Sequence, residues 1–141
     1  METSLVRQRV LRLIENARRS AAERRTRNDD AARVYEHFLD QVAIPVFRQV
    51  AGALKAEKFP FTVSTPSGSV RLVSDKSAEN YIEISLDTAG DRPVVMGHTS
   101  RVRGRRVMES ERPIAEALVS ELTDEDVLAF LLREIELFLE R

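Results

Sequence analysis

A chain of 141 residues, with 43% hydrophobic and 32% charged residues, is long enough to bury one core, so we expect a single domain spanning residues 1–141. The formal net charge of −1 excludes a generally basic nucleic-acid binder. The absence of cysteine excludes disulfides, a thiolate zinc site and a cysteine nucleophile.

Residues 1–58 have the apolar spacing of helices. Two sets of apolar residues recur at three- and four-residue steps: Val6, Val10, Leu13 and Ala17, and then Ala31, Tyr35, Phe38 and Val42. The polar segment between the sets is compatible with one long helix or with two helices that separate near Asn28. We favour the break, because Asp29 or Asp30 can cap a helix that begins beside Ala31.

Pro45 lies inside the second helical stretch. It has no backbone N–H, and its ring would clash with the carbonyl group of Gln41, so it predicts a kink or the start of a new helix. Gly52 and then Phe59-Pro60 mark the end of the helical region.

The middle of the chain, residues 61–109, has an apolar period of two. Residues 61–65 and 70–74 flank the loop PSGS and predict a β-hairpin. The stretch YIEISLD alternates, with Ile82 and Ile84 on one face and polar side chains on the other. Together with PVVMGHTSRV and RRVME, these stretches predict a four- to five-stranded antiparallel meander with one wet face.

The turn TAGDR joins two of these strands, and we expect it to pair residues whose numbers add up to about 180. In that register Glu79 faces Arg101 and can form an ion pair across the strands. His98 then lies opposite Ile82 and points into the core as a hydrogen-bonded histidine.

Residues 113–141 return to helical spacing. Pro113 suits a first helical position, so we expect a short helix over IAEALV. Thr123 is expected to cap the last helix, whose apolar residues cover more than one face. The predicted fold class is therefore α+β, with N-terminal helices (1–58), an antiparallel sheet (61–109) and C-terminal helices packed on one sheet face.

Two arginine-rich stretches are the candidate contacts for an anion or a protein partner. Their residues are Arg18, Arg19, Arg24, Arg25 and Arg27 in the first helical region, and Arg103, Arg105 and Arg106 around Gly104. We expect the second stretch, RVRGRRV, at the tip of a β-hairpin, where arginines protect a sheet edge or contact a phosphate backbone. No aromatic residue lies among them, which argues against stacking on a single strand.

The residues that could carry chemistry are few. His37 has Glu36 beside it and Asp40 one turn later, but a metal site needs three or four ligands, so we expect a surface histidine. The serines lack the context of a nucleophile elbow, and the five glycines are too dispersed for a phosphate loop. We therefore expect no catalytic residue, no cofactor and no metal.

Charge is distributed unevenly along the chain. Residues 1–34 contain nine arginines and five acidic residues, net +4, whereas residues 111–141 contain three arginines and nine acidic residues, net −6. Opposite charges favour docking of the first helix beside the last one, within one chain or across a dimer.

These observations predict a non-enzymatic protein–protein interaction or adaptor protein that is homodimeric through its N- and C-terminal helices. The alternative is a DNA- or RNA-associated regulator that uses the arginine-rich patches. A third hypothesis is an enzyme or small-ligand binder with a pocket near His98. The absence of cysteine fits a reducing compartment, and no run of about 18 apolar residues is present, so we expect a cytoplasmic protein without membrane contact.

Overall fold

One long helix leads into a five-stranded antiparallel sheet and a final helix in the computed structural model, which describes residues 1–139. The helices are α1 (Thr3–Phe38), α2 (Ile44–Ala56) and α3 (Asp124–Leu139), with a π-helical turn at Leu39–Ala43 and a 3-10 turn at Val119–Glu121. The strands are β1 (Phe61–Ser64), β2 (Ser69–Ser74), β3 (Ser77–Asp87), β4 (Val94–Arg103) and β5 (Arg106–Pro113). They lie side by side in chain order, so the predicted α+β class and meander are confirmed.

The N-terminal region contains one continuous helix where we expected a break. α1 runs for 36 residues, and Asn28, Asp29 and Asp30 lie inside it. An aspartate can cap a new helix, but this segment has no proline or glycine that would interrupt helical hydrogen bonding. Asp30 instead pairs with Arg33 on the helix surface. The favoured prediction of two helices was therefore wrong.

Pro45 lies at the start of a new helix, which was one of the two outcomes predicted for it. α2 starts at Ile44, and Pro45 occupies its first turn, where the missing N–H costs no hydrogen bond. The preceding turn, Leu39–Ala43, is a π-helix. Its wider i to i+5 spacing gives room where the proline ring would otherwise meet the carbonyl group of Gln41.

One face of the sheet forms the core. Ile82 and Ile84 are fully buried, whereas Glu83 between them lies on the opposite, open face, which confirms the predicted alternation. α3 contacts the buried face, because the Thr99 hydroxyl of β4 donates a hydrogen bond to Glu134 of α3 at 3.1 Å. The core side chains of the sheet and α3 include Val70, Leu72, Ile82, Ile84, Val95, Val127, Phe130, Leu131 and Ile135.

The pairing of β3 with β4 differs by one residue from the expected register. Ile82 faces Thr99, and Glu83 faces His98. Because successive side chains of a strand point to opposite faces, a shift of one residue moves every side chain of β4 to the other face. The expectation that His98 points into the core was therefore wrong, and the histidine lies on the open face.

The expected ion pair between Glu79 and Arg101 does not occur among the described residues. Arg101 faces Met108 of β5, on the side of the sheet that α3 covers. Its guanidinium donates a hydrogen bond to the carbonyl oxygen of Leu137 at 3.0 Å. Arg101 thus ties the last turn of α3 to the sheet, where an arginine also interacts favourably with the helix dipole.

The short helix expected after Pro113 is absent from the described structure. Pro113 is the last residue of the edge strand β5, where its missing N–H does not interrupt the sheet, and the chain then bends irregularly as far as Leu118. The predicted cap of the last helix is confirmed. The Thr123 hydroxyl accepts a hydrogen bond from the Asp126 N–H at 3.3 Å, and the Asp126 carboxylate accepts one from the Thr123 N–H at 3.0 Å.

Tyr35 connects α1 to the sheet. Its side chain is buried, and its hydroxyl donates a hydrogen bond to the carbonyl oxygen of Gly68 at 2.8 Å. The carbonyl oxygen of Ile84 is a second, more distant acceptor at 3.4 Å. Burial raises the pKa of Tyr35 above its ordinary value, and the negative charge of Glu83 raises it further. The folded protein therefore opposes ionisation of this side chain.

We expect the protein to lose stability as the pH rises above about 10, the ordinary pKa of tyrosine. The folded state holds the Tyr35 proton more tightly than the unfolded state, so this contribution is complete below that pH and is lost as the pH rises through the raised pKa. The free energy of unfolding, measured by urea unfolding at several pH values, should fall with pH above about 10. This fall should be up to about 1.4 kcal/mol per pH unit less steep for Tyr35→Phe than for the wild type. Equal slopes would contradict the prediction.

Candidate interaction site

The N-terminal part of α1 projects away from the rest of the fold. Every side chain from residue 1 to residue 20 is exposed. We call residues 3–27 the arm. The large apolar side chains that it exposes are Leu5, Val6, Val10, Leu11, Leu13 and Ile14. Leu13 alone is 68% exposed, and an apolar surface of this extent is typical of an interaction site.

The apolar stripe of the arm continues the face by which α1 packs on the core. A line of residues at alternating four- and three-residue steps runs through Val10, Ile14, Ala17, Ala21, Arg24, Asn28, Ala31, Tyr35 and Phe38. The last two are buried, whereas the first three are exposed. The same seam is thus covered at one end by the chain's own fold and open at the other end.

The arm has little local stabilisation. Its N-cap residue, Glu2, makes no side-chain hydrogen bond to the helix, and the first turn contains no acidic residue. Among the described residues the arm forms no ion pair, since the pair between Asp30 and Arg33 lies beyond it. Helices in proteins gain most of their stability from packing of an apolar face, whereas the apolar face of the arm is exposed.

A groove of about 840 Å³ runs between α2 and α3. Its apolar floor is formed by Val46, Val50 and Leu54 of α2 and by Leu128, Leu132, Ile135 and Leu139 of α3. Leu132 is 56% exposed and Leu139 is 42% exposed. The two helices present apolar side chains at three- and four-residue steps on either side of the groove, an arrangement that receives the apolar face of another helix.

The edge of this groove is acidic. Four exposed carboxylates lie among its lining residues: Glu57 at the end of α2, Asp124 and Glu125 at the start of α3, and Glu136 near its end. None of the described lining residues is basic. The groove therefore combines an apolar floor with a negative edge, which favours a basic amphipathic helix as its ligand.

The arginines predicted as contacts in the first helical region all lie on the arm. Arg18, Arg19, Arg24, Arg25 and Arg27 are exposed. They point in different directions around the helix, because their spacing in the sequence does not follow the helical period. The structure therefore gives the whole arm a positive charge and does not gather these arginines into one anion site.

The second set of predicted contacts lies at the tip of the hairpin between β4 and β5. Arg103 pairs with Arg106 across a two-residue turn of Gly104 and Arg105. Gly104 has a φ of +65°, which side-chain-bearing residues rarely adopt. The arginines at the tip are exposed, and this patch is separated from the arm in the sequence by α2 and the first four strands.

His98 belongs to a row of side chains across the open face of the sheet. Its ring stacks on the Tyr81 ring, with centroids 5.7 Å apart. The guanidinium carbon of Arg71 also lies over the Tyr81 ring, 4.0 Å from its centroid. The Nδ1 atom of His98 is 2.9 Å from Glu111, and Nε2 is 3.6 Å from Glu109. These contacts hold His98 between neighbours on its own face and not in a pocket between sheet and helices.

His37 is exposed on the surface of α1. Within residues 1–139, no three or more histidine and acidic side chains are grouped so that they could hold a metal ion. Of the helices in the same range, none is both long enough and apolar enough to cross a membrane.

The groove was not identified from the sequence, although its residues carry a signal. Val46, Val50 and Leu54 recur at four-residue steps, and Leu128 and Leu132 do so on the other helix. Such a pattern predicts an apolar helix face but does not say whether the face is buried or open. That outcome depends on how far apart the two helices lie.

Comparisons with protein-family models, with curated proteins and with solved structures gave no match for this chain. No relative therefore assigns a ligand or a residue role to the arm or to the groove. The chemistry of these two surfaces is what indicates the function.

Proposed function

We propose that the protein is a non-enzymatic protein–protein interaction module that acts as a homodimer through the arm. The observation that carries the proposal is the exposed apolar stripe of the arm, in which Leu13 is 68% exposed. Burial of one large aliphatic side chain contributes about 1.5–3 kcal/mol, so covering the four that share one face of the helix, Val6, Val10, Leu13 and Ile14, favours association strongly. The N-terminus of the arm has no side-chain cap and no acidic residue in its first turn, which supports the same proposal.

A second copy of the chain is the partner that the charge distribution favours. The arm contains eight arginines and two glutamates, net +6, whereas residues 111–141 have a net charge of −6. Each copy thus carries a basic and an acidic surface, and a twofold symmetric pair can satisfy both. A monomer leaves the basic, apolar arm without a counterpart.

Sedimentation velocity at micromolar concentration is expected to show a dimer for the full-length protein. The variant Val10→Asp/Leu13→Asp should sediment as a monomer, because two carboxylates in the stripe cannot be buried without partners. The matched control Gln8→Asp/Thr26→Asp adds the same two charges on the side of the arm opposite Val10 and should stay dimeric. A monomeric wild-type protein would contradict the proposal.

The alternative function, a DNA- or RNA-associated regulator, is favoured by one feature, the three exposed arginines around Gly104. Binding of this kind has a steep dependence on salt, with a slope of about −0.9 per phosphate contact on duplex DNA. A titration of duplex DNA at several salt concentrations separates the two functions. Salt-sensitive affinity that is lost on changing Arg103, Arg105 and Arg106 to serine would favour the regulator.

A further inference from the structure

We propose that the groove between α2 and α3 is the seat for the arm of a second copy of this chain, so that the two copies exchange arms. This inference rests on the proposed homodimer and adds which surfaces meet in it. It assigns a partner to the groove, whose floor includes the exposed Leu132 and Leu139.

The dimensions of the two surfaces agree. The apolar segment of the arm, from Leu5 to Ala17, covers 13 residues and is about 20 Å long at the usual helical rise. α2 has 13 residues and α3 has 16, so the groove between them is also about 20 Å long. A helix of three to four turns can therefore lie along the full length of the groove.

The chemical character of the two surfaces is complementary. The groove has an apolar floor and four carboxylates at its edge, with no basic residue among the described lining residues. The arm has an apolar stripe that is flanked by arginines, with Arg7 on one side and Arg9 on the other side of Val10 and Leu13. When the stripe packs on the apolar floor of the groove, the flanking guanidinium groups come close to the carboxylates at its edge. Ion pairs between them then fix the orientation of the helix.

A chain cannot place its own arm in its own groove. The backbone stays in the right-handed helical region from Phe38 through Ile44, so α1 runs on into α2 without a reversal. Leu13 and Val50 are 37 residues apart along this path, which corresponds to about 55 Å in a helix. Even with a bend at the π-helical turn, the arm leads away from the groove, and the occupant has to come from another copy.

Cysteine cross-linking tests which surfaces meet, and the absence of native cysteine makes the readout specific. Isotope-labelled Leu13→Cys and unlabelled Leu132→Cys proteins are mixed, left to exchange subunits and treated with a short bis-maleimide. Mass spectrometry is expected to find the mixed pair at least ten times more abundant than either pair of identical variants. Both substitutions lie at exposed positions, so neither is expected to impair folding.

A second variant tests the groove without a cross-linker. Leu132→Asp should raise the dimer dissociation constant at least tenfold, because the new carboxylate lies on the floor that the arm covers. Val107→Asp is the matched control, because Val107 is 48% exposed on the open face of β5, on the side of the sheet away from α3, and the dissociation constant should not change.

The possible outcomes separate this inference from the proposed function. If Leu13→Cys cross-links mainly to itself, the two arms pair with each other and the exchange is wrong, although the homodimer stands. A wild-type dimer that forms neither the mixed pair nor the Leu13 pair also overturns the exchange, because another surface then makes the contact. A monomeric wild type overturns the proposed function itself, and with it the exchange.

Discussion

Replacement of Gly97 by alanine is expected to lower the free energy of unfolding by about 3 kcal/mol, at the upper end of the cost of overpacking a core. Gly97 is buried in β4, and a Cβ atom there would overlap the ring of Phe130 on α3. Phe130 is 1% exposed and enclosed by the core, so its ring cannot swing aside without displacing other side chains. Urea unfolding at one fixed protein concentration measures the effect.

Two further variants identify the cause of that loss. In a Phe130→Leu background the same Gly97→Ala change should cost at least about 1 kcal/mol less, because the smaller side chain leaves room for the new methyl group. Gly52→Ala is the matched control. Gly52 lies in α2 with nothing within 4 Å of a Cβ atom, so alanine there should stabilise the protein by about 0.5–1 kcal/mol. Equal costs of Gly97→Ala in both backgrounds would exclude the Phe130 ring as the obstacle.

The sheet could be predicted from the sequence because its alternation has a period of two and three of its four turns carry glycine or proline. Ile82 and Ile84 are buried as predicted. The register of β4 could not be fixed in the same way, because the strand reads VVMGHTSRV, with no clean alternation to distinguish two registers that differ by one residue. Gly97 adds to the ambiguity, because glycine has no side chain that marks a buried position in the sequence. In the structure the Phe130 ring of α3 fills the space beside it.

The N-terminal helix shows the opposite case, in which local signals favoured a boundary that the chain does not have. Asp29 and Asp30 are good capping residues, but they cap a helix only if the preceding residues leave the helical conformation. Nothing between residues 17 and 30 requires this, and arginine and alanine are strong helix formers. The continuity of α1 holds the arm away from the core.

The candidate site could be predicted in part. The stripe through Val10 and Leu13 was evident from its spacing, and so was the charge difference between the two ends of the chain. The groove could not be predicted, because it results from the separation of α2 and α3 in space. The homodimer stays a prediction. The arginines of the hairpin tip lie at an exposed turn, and their role as a contact also stays a prediction.

Loss of Arg112 is expected to be the other large effect, about 3 kcal/mol in the free energy of unfolding. Glu134 of α3 is fully buried, and one of its oxygens accepts a hydrogen bond from Thr99. The other oxygen, Oε1, forms an ion pair with Arg112 of β5 and receives no hydrogen bond from a described residue. Arg112→Ala leaves a buried carboxylate without its counter-charge. We expect the lower end of the range for such pairs, because Arg112 is 45% exposed and water replaces part of its contribution.

A second substitution, Glu134→Gln, tests whether the buried charge causes the loss of stability in Arg112→Ala. The test is whether Glu134→Gln raises or lowers the free energy of unfolding in each background. Glutamine has nearly the same shape and can still accept the hydrogen bond from Thr99, but it carries no charge. In the wild-type background Glu134→Gln should destabilise the protein, because Arg112 loses its partner. In the Arg112→Ala background the same change should stabilise it by at least about 1 kcal/mol, because no charge is then buried alone. Arg33→Ala, which removes an exposed ion pair with Asp30, is the control and should stay within about 0.5 kcal/mol. If Glu134→Gln destabilises both backgrounds equally, Arg112 stabilises the fold through packing of its side chain on the edge strand and not through the charge of Glu134.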